Sequence, residues 1–185
     1  MLKLGELDNA FQTYWSDMER CRKGRAYWSL LHVTVCLPDI CAALQSSDAR
    51  TSGRRYIDWC DRHLADAALS GEERYWMRCK VLHEGRASTG NPGRYSGFAF
   101  TQPAPNGQVD HRRVEGTTLI LDVGRLSAEY ETGVRGWIQA IEANLASGDA
   151  TNVERNLQTI VRVRQRPMPP RQDFPGVLII NNRTS

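Results

Sequence analysis

The chain has 185 residues, 41% hydrophobic and 24% charged, with a net charge of only +3. That balance excludes a disordered chain and a membrane-embedded one, and it is too near neutral for a nucleic-acid-binding field over the whole surface. The size fits one domain, or a compact domain with an appendage. No apolar run approaches the roughly 20 residues that span a bilayer, and the opening residues carry no secretory signal. Five cysteines, none in a Cys-x2-Cys pair, point to reduced thiols in the cytoplasm rather than a disulfide framework.

Residues 6 to 23 predict a first helix, with Leu7, Phe11, Tyr14, Trp15 and Met18 spaced by three and four, stopped by Gly24. Residues 26 to 46 predict a second, nearly apolar through Tyr27, Trp28, Leu30, Leu31, Val33, Val35, Cys36 and Leu37, and therefore the most buried. Pro38 is expected to kink or split it, since proline lacks the backbone donor and crowds the preceding turn. A third helix is expected over about residues 50 to 68, with Tyr56, Trp59, Cys60 and Leu64 on one face. Ser70-Gly71-Glu72-Glu73 has the capping-box form, opening a fourth helix whose core candidates are Tyr75, Trp76, Cys79, Val81 and Leu82, ended by Gly85.

The character changes at residues 88 to 93, which are small, polar and Gly/Pro-containing. Residues 95 to 102 and 109 to 123 predict strands joined by an Asn106-Gly107 turn, with 117 to 123 the clearest strand. Residues 126 to 146 return to helical spacing through Tyr130, Val134, Trp137, Ile138, Ile141 and Leu145. Thr151-x-x-Glu154 predicts the start of a last helix running to Pro167, followed by a Pro-rich extended tail in which residues 177 to 180 can dock as a strand. The fold class expected is mostly α: a four-helix bundle over residues 1–90, then a β-hairpin or small sheet with two further helices over 91–185, appended to the same domain.

Basic residues cluster at Arg20, Arg22, Lys23 and Arg25, and at Arg155, Arg162, Arg164, Arg166 and Arg171. Such clusters suit phosphate, or stand as solvated helix ends. The stretch richest in chemistry is Arg78-Cys79-Lys80-Val81-Leu82-His83, an arginine and a histidine five positions apart on an otherwise apolar helix. Core helices avoid a guanidinium unless something pairs with it. In an ideal α-helix five residues turn about 140° and rise about 7.5 Å, so one helix does not readily aim both groups at one atom, whereas two copies about a twofold axis can.

The pattern resembles the Arg-x4-6-His motif of the HEPN superfamily (higher eukaryotes and prokaryotes nucleotide-binding), which lies on the last helix of a four- or five-helix bundle. The resemblance covers about residues 6 to 87. It implies a metal-independent endoribonuclease, of the kind found among toxins and phage-defence effectors, acting in a composite cleft of a homodimer with RNA as substrate. An antitoxin or defence-system partner is compatible with it, and no cofactor or membrane is called for. Arg78 would hold the phosphate and His83 would move protons, with Lys80, Glu84 and Arg86 shaping the charge around them. Cys79 stands where many active members carry a polar residue. Members without activity serve as binding modules, so the alternative is a non-catalytic helical module for RNA, nucleotide or a partner protein.

A plainer role is also open to these residues. Arg78 can pair at the surface with Glu73 or Glu84, and His83 can favour the negative end of its helix. Cys60-x2-His63 and Cys79-x3-His83 would supply four zinc ligands if their helices met. His32 fits a core histidine, and His111 with Arg112 and Arg113 an exposed turn. Trp15, Trp28, Trp59, Trp76 and Trp137 fit core or interface anchors. No Gly-rich phosphate loop occurs, Gly133 and Gly136 being isolated, and there is no hydrolase elbow.

Overall fold

The computed structural model describes residues 2–66, 68–85, 94–104, 107 and 109–159. Helix α1, Glu6–Lys23, buries Leu7, Phe11, Trp15 and Met18, the stripe its spacing demanded, and Gly24 closes it by donating to the Arg20 carbonyl at 2.8 Å. Helix α2, Tyr27–Gln45, is the core element: Leu30, Leu31, Val35, Leu37 and Cys41 are at most 1% exposed. Pro38 does not split it. The proline is buried within a continuous helix, and the Thr34 hydroxyl donates to the Leu30 carbonyl at 2.7 Å in the turn before it. At 19 residues α2 is also long and apolar enough to cross a membrane, by length and composition only, contrary to the sequence expectation. In this fold half of it is buried, against α1 and the helices that follow.

Helix α3, Gly53–His63, starts at Ser52, whose hydroxyl accepts from the Arg55 amide, and buries Tyr56, Trp59 and Cys60. It stops about five residues short of the expected end. Asp66 diverts the chain there, its carboxylate accepting the Ala68 amide at 2.8 Å, a local bond that competes with helix. Helix α4, Gly71–Cys79, has the full capping box: Glu73 N donates to Ser70 Oγ at 3.2 Å and Ser70 N to Glu73 Oε2 at 2.8 Å. Ser70→Ala removes one arm of that box and should cost about 1 kcal/mol, lowering the melting temperature by about 2–4 °C in calorimetry.

The buried face of α4 differs from the one expected. Gly71, Glu73, Arg74 and Met77 point inward, with Val81 beyond them, while Tyr75, Trp76, Cys79 and Leu82 are only partly buried. Arg74 is 1% exposed; its guanidinium lies 5.1 Å from the Tyr130 ring centroid and donates to the Leu64 carbonyl and to Asp66 Oδ2, each at 3.3 Å. A charge with such partners can be interior, and hydrophobic periodicity does not register it.

Three strands follow: β1 Gly97–Thr101, β2 Arg113–Glu115 and β3 Thr118–Asp122, in the order β1-β3-β2. β1 runs parallel to β3, with Gly97 opposite Thr118 and Thr101 opposite Asp122, so the hairpin expected between the first two strands does not form. The hairpin is β2–β3, turning at Gly116, whose φ of +60° glycine adopts without strain. Gly107 also has a positive φ, of +77°, but Asn106 lies outside the described residues. β3 is buried along Leu119, Ile120, Leu121 and Asp122, as an inner strand should be.

Asp122 caps helix α5, Val123–Ala143, accepting the Arg125 amide at 2.8 Å. α5 buries Leu126, Tyr130, Val134, Trp137, Ile138 and Ile141. Helix α6, Gly148–Leu157, is capped by Ser147 rather than at Thr151, which lies inside it. Its buried Asn156 amide reaches the Leu44 and Ser46 carbonyls at 2.9 and 2.7 Å, tying α6 to the end of α2. The expected extension to Pro167, the basic residues beyond 160 and the 177–180 segment lie outside the described residues.

Candidate active site

Arg78 is in the last turn of α4, and the chain then continues as a π-helical turn, Lys80–Glu84. Gly85, with φ +59°, ends it by donating to the Lys80 carbonyl, five residues back. Residues five apart therefore come nearly into line, and the ideal-helix expectation fails here: Arg78 Nη1 lies 3.1 Å from His83 Nε2 in a single chain. A guanidinium only donates, so Nε2 accepts and His83 is the neutral Nδ1–H tautomer in this contact.

The other edge of Arg78 is held from α2. Its Nε donates to Asp39 Oδ2 at 2.7 Å, with both side chains less than one fifth exposed. Partial burial works against the guanidinium charge, but Asp39 outweighs it and holds the arginine above its ordinary range. Burial, and then Asp39, push the neighbouring Cys36 thiol up, so it stays protonated and is no nucleophile. Cys79 Sγ is 3.8 Å from Arg78 Nη1. His83 is exposed. The arrangement is an oriented cation beside an open imidazole, able to bind an oxyanion and shuttle a proton.

Arg78 pairs with neither acid expected from sequence. Glu73 holds Ser70 and, at 2.7 Å, Arg94; Glu84 holds Lys80 at 2.6 Å. Lys80 and Glu84 thus offset one another beside the pair, and Arg86 lies outside the described residues. Asp39 was not expected. The signal that could have found it is an acid in the middle of a helix otherwise fit for the core.

The zinc arrangement does not form. Cys60 is fully buried, His63 rests 4.9 Å from the Trp59 ring, and among the described residues no three His, Cys, Asp or Glu side chains converge on one point. The five cysteines form no disulfide. His32 is partly exposed rather than core, its Nδ1 2.8 Å from the Trp28 carbonyl and its ring edge-on to Trp28, itself 56% exposed. His111 is not at an exposed turn: its side chain is 12% exposed, Nδ1 accepts the Asp122 amide at 3.2 Å, and Nε2 donates to Glu129 at 3.1 Å.

A cavity of about 580 Å³ is lined by neither Arg78 nor His83; it opens between the end of α3, α4 and α5, with His63 in its wall. Burial, and then the Arg62 charge, lower the His63 pKa to about 4. Between pH 6.5 and 4 the unfolded chain takes up this proton and the folded one does not, so His63 makes stability fall as pH drops through that window. Discounted for its partial exposure, the effect is on the order of 1 kcal/mol. His63→Phe should flatten the decline in melting temperature between pH 7 and 4.5; equal slopes for variant and wild type would contradict the assignment.

Comparison with known families, curated proteins and solved structures returned no match to this chain.

Proposed function

We propose that Arg78 and His83 are the reactive pair of a metal-independent endoribonuclease, HEPN-like in its bundle, working as a homodimer in the cytoplasm. The observation that carries this is the 3.1 Å approach of Arg78 Nη1 to His83 Nε2 while Asp39 pins the arginine by its Nε. A scissile phosphate arriving at the Nη edge takes over the guanidinium donors and releases Nε2. The freed imidazole then accepts the proton of the 2′-hydroxyl as that oxygen attacks phosphorus. Arg78, fixed in orientation and in charge, stabilises the additional negative charge on the phosphorane.

The leaving 5′-oxygen needs a proton in the same event, and a second copy's His83, protonated as imidazolium where the first is neutral, would supply it across a twofold axis. The partly exposed α2 face that runs from Asp39 through Cys36 and His32 to Trp28 gives such a dimer apolar surface to cover. A non-catalytic module binding RNA, nucleotide or a partner protein is the second reading. Cys79 favours it, since a thiol beside Arg78 is a weaker hydrogen-bonding group than an amide or carboxylate. The two separate by experiment: incubation with total RNA and tRNA in excess EDTA yields fragments from a nuclease, and affinity without product from a module.

A further inference from the structure

The cavity of about 580 Å³ has a lining that the Arg78–His83 pair does not use. Four arginines line it, Arg62, Arg74, Arg112 and Arg125, against two carboxylates, Asp66 and Glu129. Asp66 is shared between Arg74 at 3.3 Å and Arg112 at 2.5 Å, and Glu129 between Arg112 at 2.9 Å and His111 at 3.1 Å. That leaves the site with excess positive charge. Arg62 and Arg125 form no ion pair among the described residues. Arg125 also sits in the first turn of α5, where the helix dipole disfavours a cation, so helix stability does not explain its presence.

The buried polar atoms point the same way. Arg74, 1% exposed, has hydrogen-bond partners only at Nη2; its Nε and Nη1 are buried and have none. His63 Nε2 and Glu129 Oε2 are likewise buried without partners. Tyr130 stands beside that guanidinium, so Arg74 contributes its fixed charge to the wall. Gly136 leaves one wall bare, since a Cβ there would meet nothing within 4 Å, whereas Gly133 packs closely on the Leu64 side chain and the His63 carbonyl.

We infer that this cavity binds a small phosphate monoester of a hydroxylated molecule. The arginines would take the phosphate and the free Glu129 oxygen would accept from a hydroxyl. The volume suits a sugar phosphate or mononucleotide, well beyond a bare anion. Nearly complete burial of Arg74 favours a small ligand over a polynucleotide backbone. This inference is independent of the nuclease proposal.

The test is isothermal titration of the full chain with inorganic phosphate, ribose 5-phosphate, AMP and, as controls, ribose and a single-stranded oligonucleotide. The expected result is saturable binding of ribose 5-phosphate or AMP, tighter than inorganic phosphate, with none for ribose. Arg125→Ala and Arg62→Ala, both exposed, should weaken it at least tenfold with an unchanged melting temperature. Gly136→Leu should block it with the fold intact, because the new side chain enters open space. Failure of all three phosphates to bind, binding unchanged in these variants, or binding by the oligonucleotide alone would overturn the inference.

Discussion

His83→Ala is expected to lower the proposed RNA cleavage rate by about 10²- to 10⁴-fold, the usual contribution of a positioned general acid–base group, while the fold and the oligomeric state stay unchanged. The fold persists because His83 is exposed, and its one hydrogen bond through Nε2 is to Arg78. Arg78 keeps its orientation in the variant, since Asp39 holds Nε at 2.7 Å independently of the histidine. RNA binding should therefore survive and the chemical step fail, giving a loss in kcat with little change in KM. Initial rates, paired with circular dichroism and size-exclusion chromatography, measure this. Activity within about threefold of wild type would remove His83 from the reaction.

Gly71→Ala is expected to destabilise the protein by about 3 kcal/mol, at the upper end of overpacking in a tight core. Gly71 opens α4 against the side of α3. An added Cβ would fall far inside 3.0 Å of the Ile57 carbonyl oxygen and 2.7 Å from Asp61 Oδ1, and the first of these is backbone that cannot swing away. The same approach allows the Gly71 amide to donate to Asp61 at 2.6 Å, a bond that is lost if the helix start is pushed off. The melting temperature should fall by about 6–12 °C. Activity should fall with it near physiological temperature, because α4 carries Arg78. An unchanged melting temperature would mean that α4 does not pack on α3 in this way.

What was legible in the sequence is what periodicity and capping chemistry encode. Leu7, Phe11, Trp15 and Met18 declared α1, and Ser70 with Glu73 declared the start of α4. The inward face of α4 was missed because Arg74 fills a core position beside Asp66, Leu64 and the Tyr130 ring, groups that no local pattern connects to it. The parallel pairing of β1 with β3 was missed because Asn-Gly advertises a hairpin, and nothing local distinguishes that from an excursion to a third strand. His111 was read as exposed because Glu129, its partner, is remote in sequence.

At the candidate site, Arg78 and His83 were both singled out from the sequence. Their meeting within one chain was not, because it depends on a π turn that 3.6-residue periodicity cannot foresee. Asp39 was read only as continuing the helical pattern after Pro38, because its partner lies 39 positions away.

Whether the proposed pair, an oriented arginine and a neutral histidine, cleaves RNA without a metal is decided by the end chemistry of the products. Purified wild-type protein is incubated with tRNA in excess EDTA and the fragment termini are determined. Attack of the neighbouring 2′-oxygen should leave 2′,3′-cyclic phosphate and 5′-hydroxyl ends. Intact tRNA, or fragments bearing 5′-phosphate and 3′-hydroxyl ends, would contradict this chemistry.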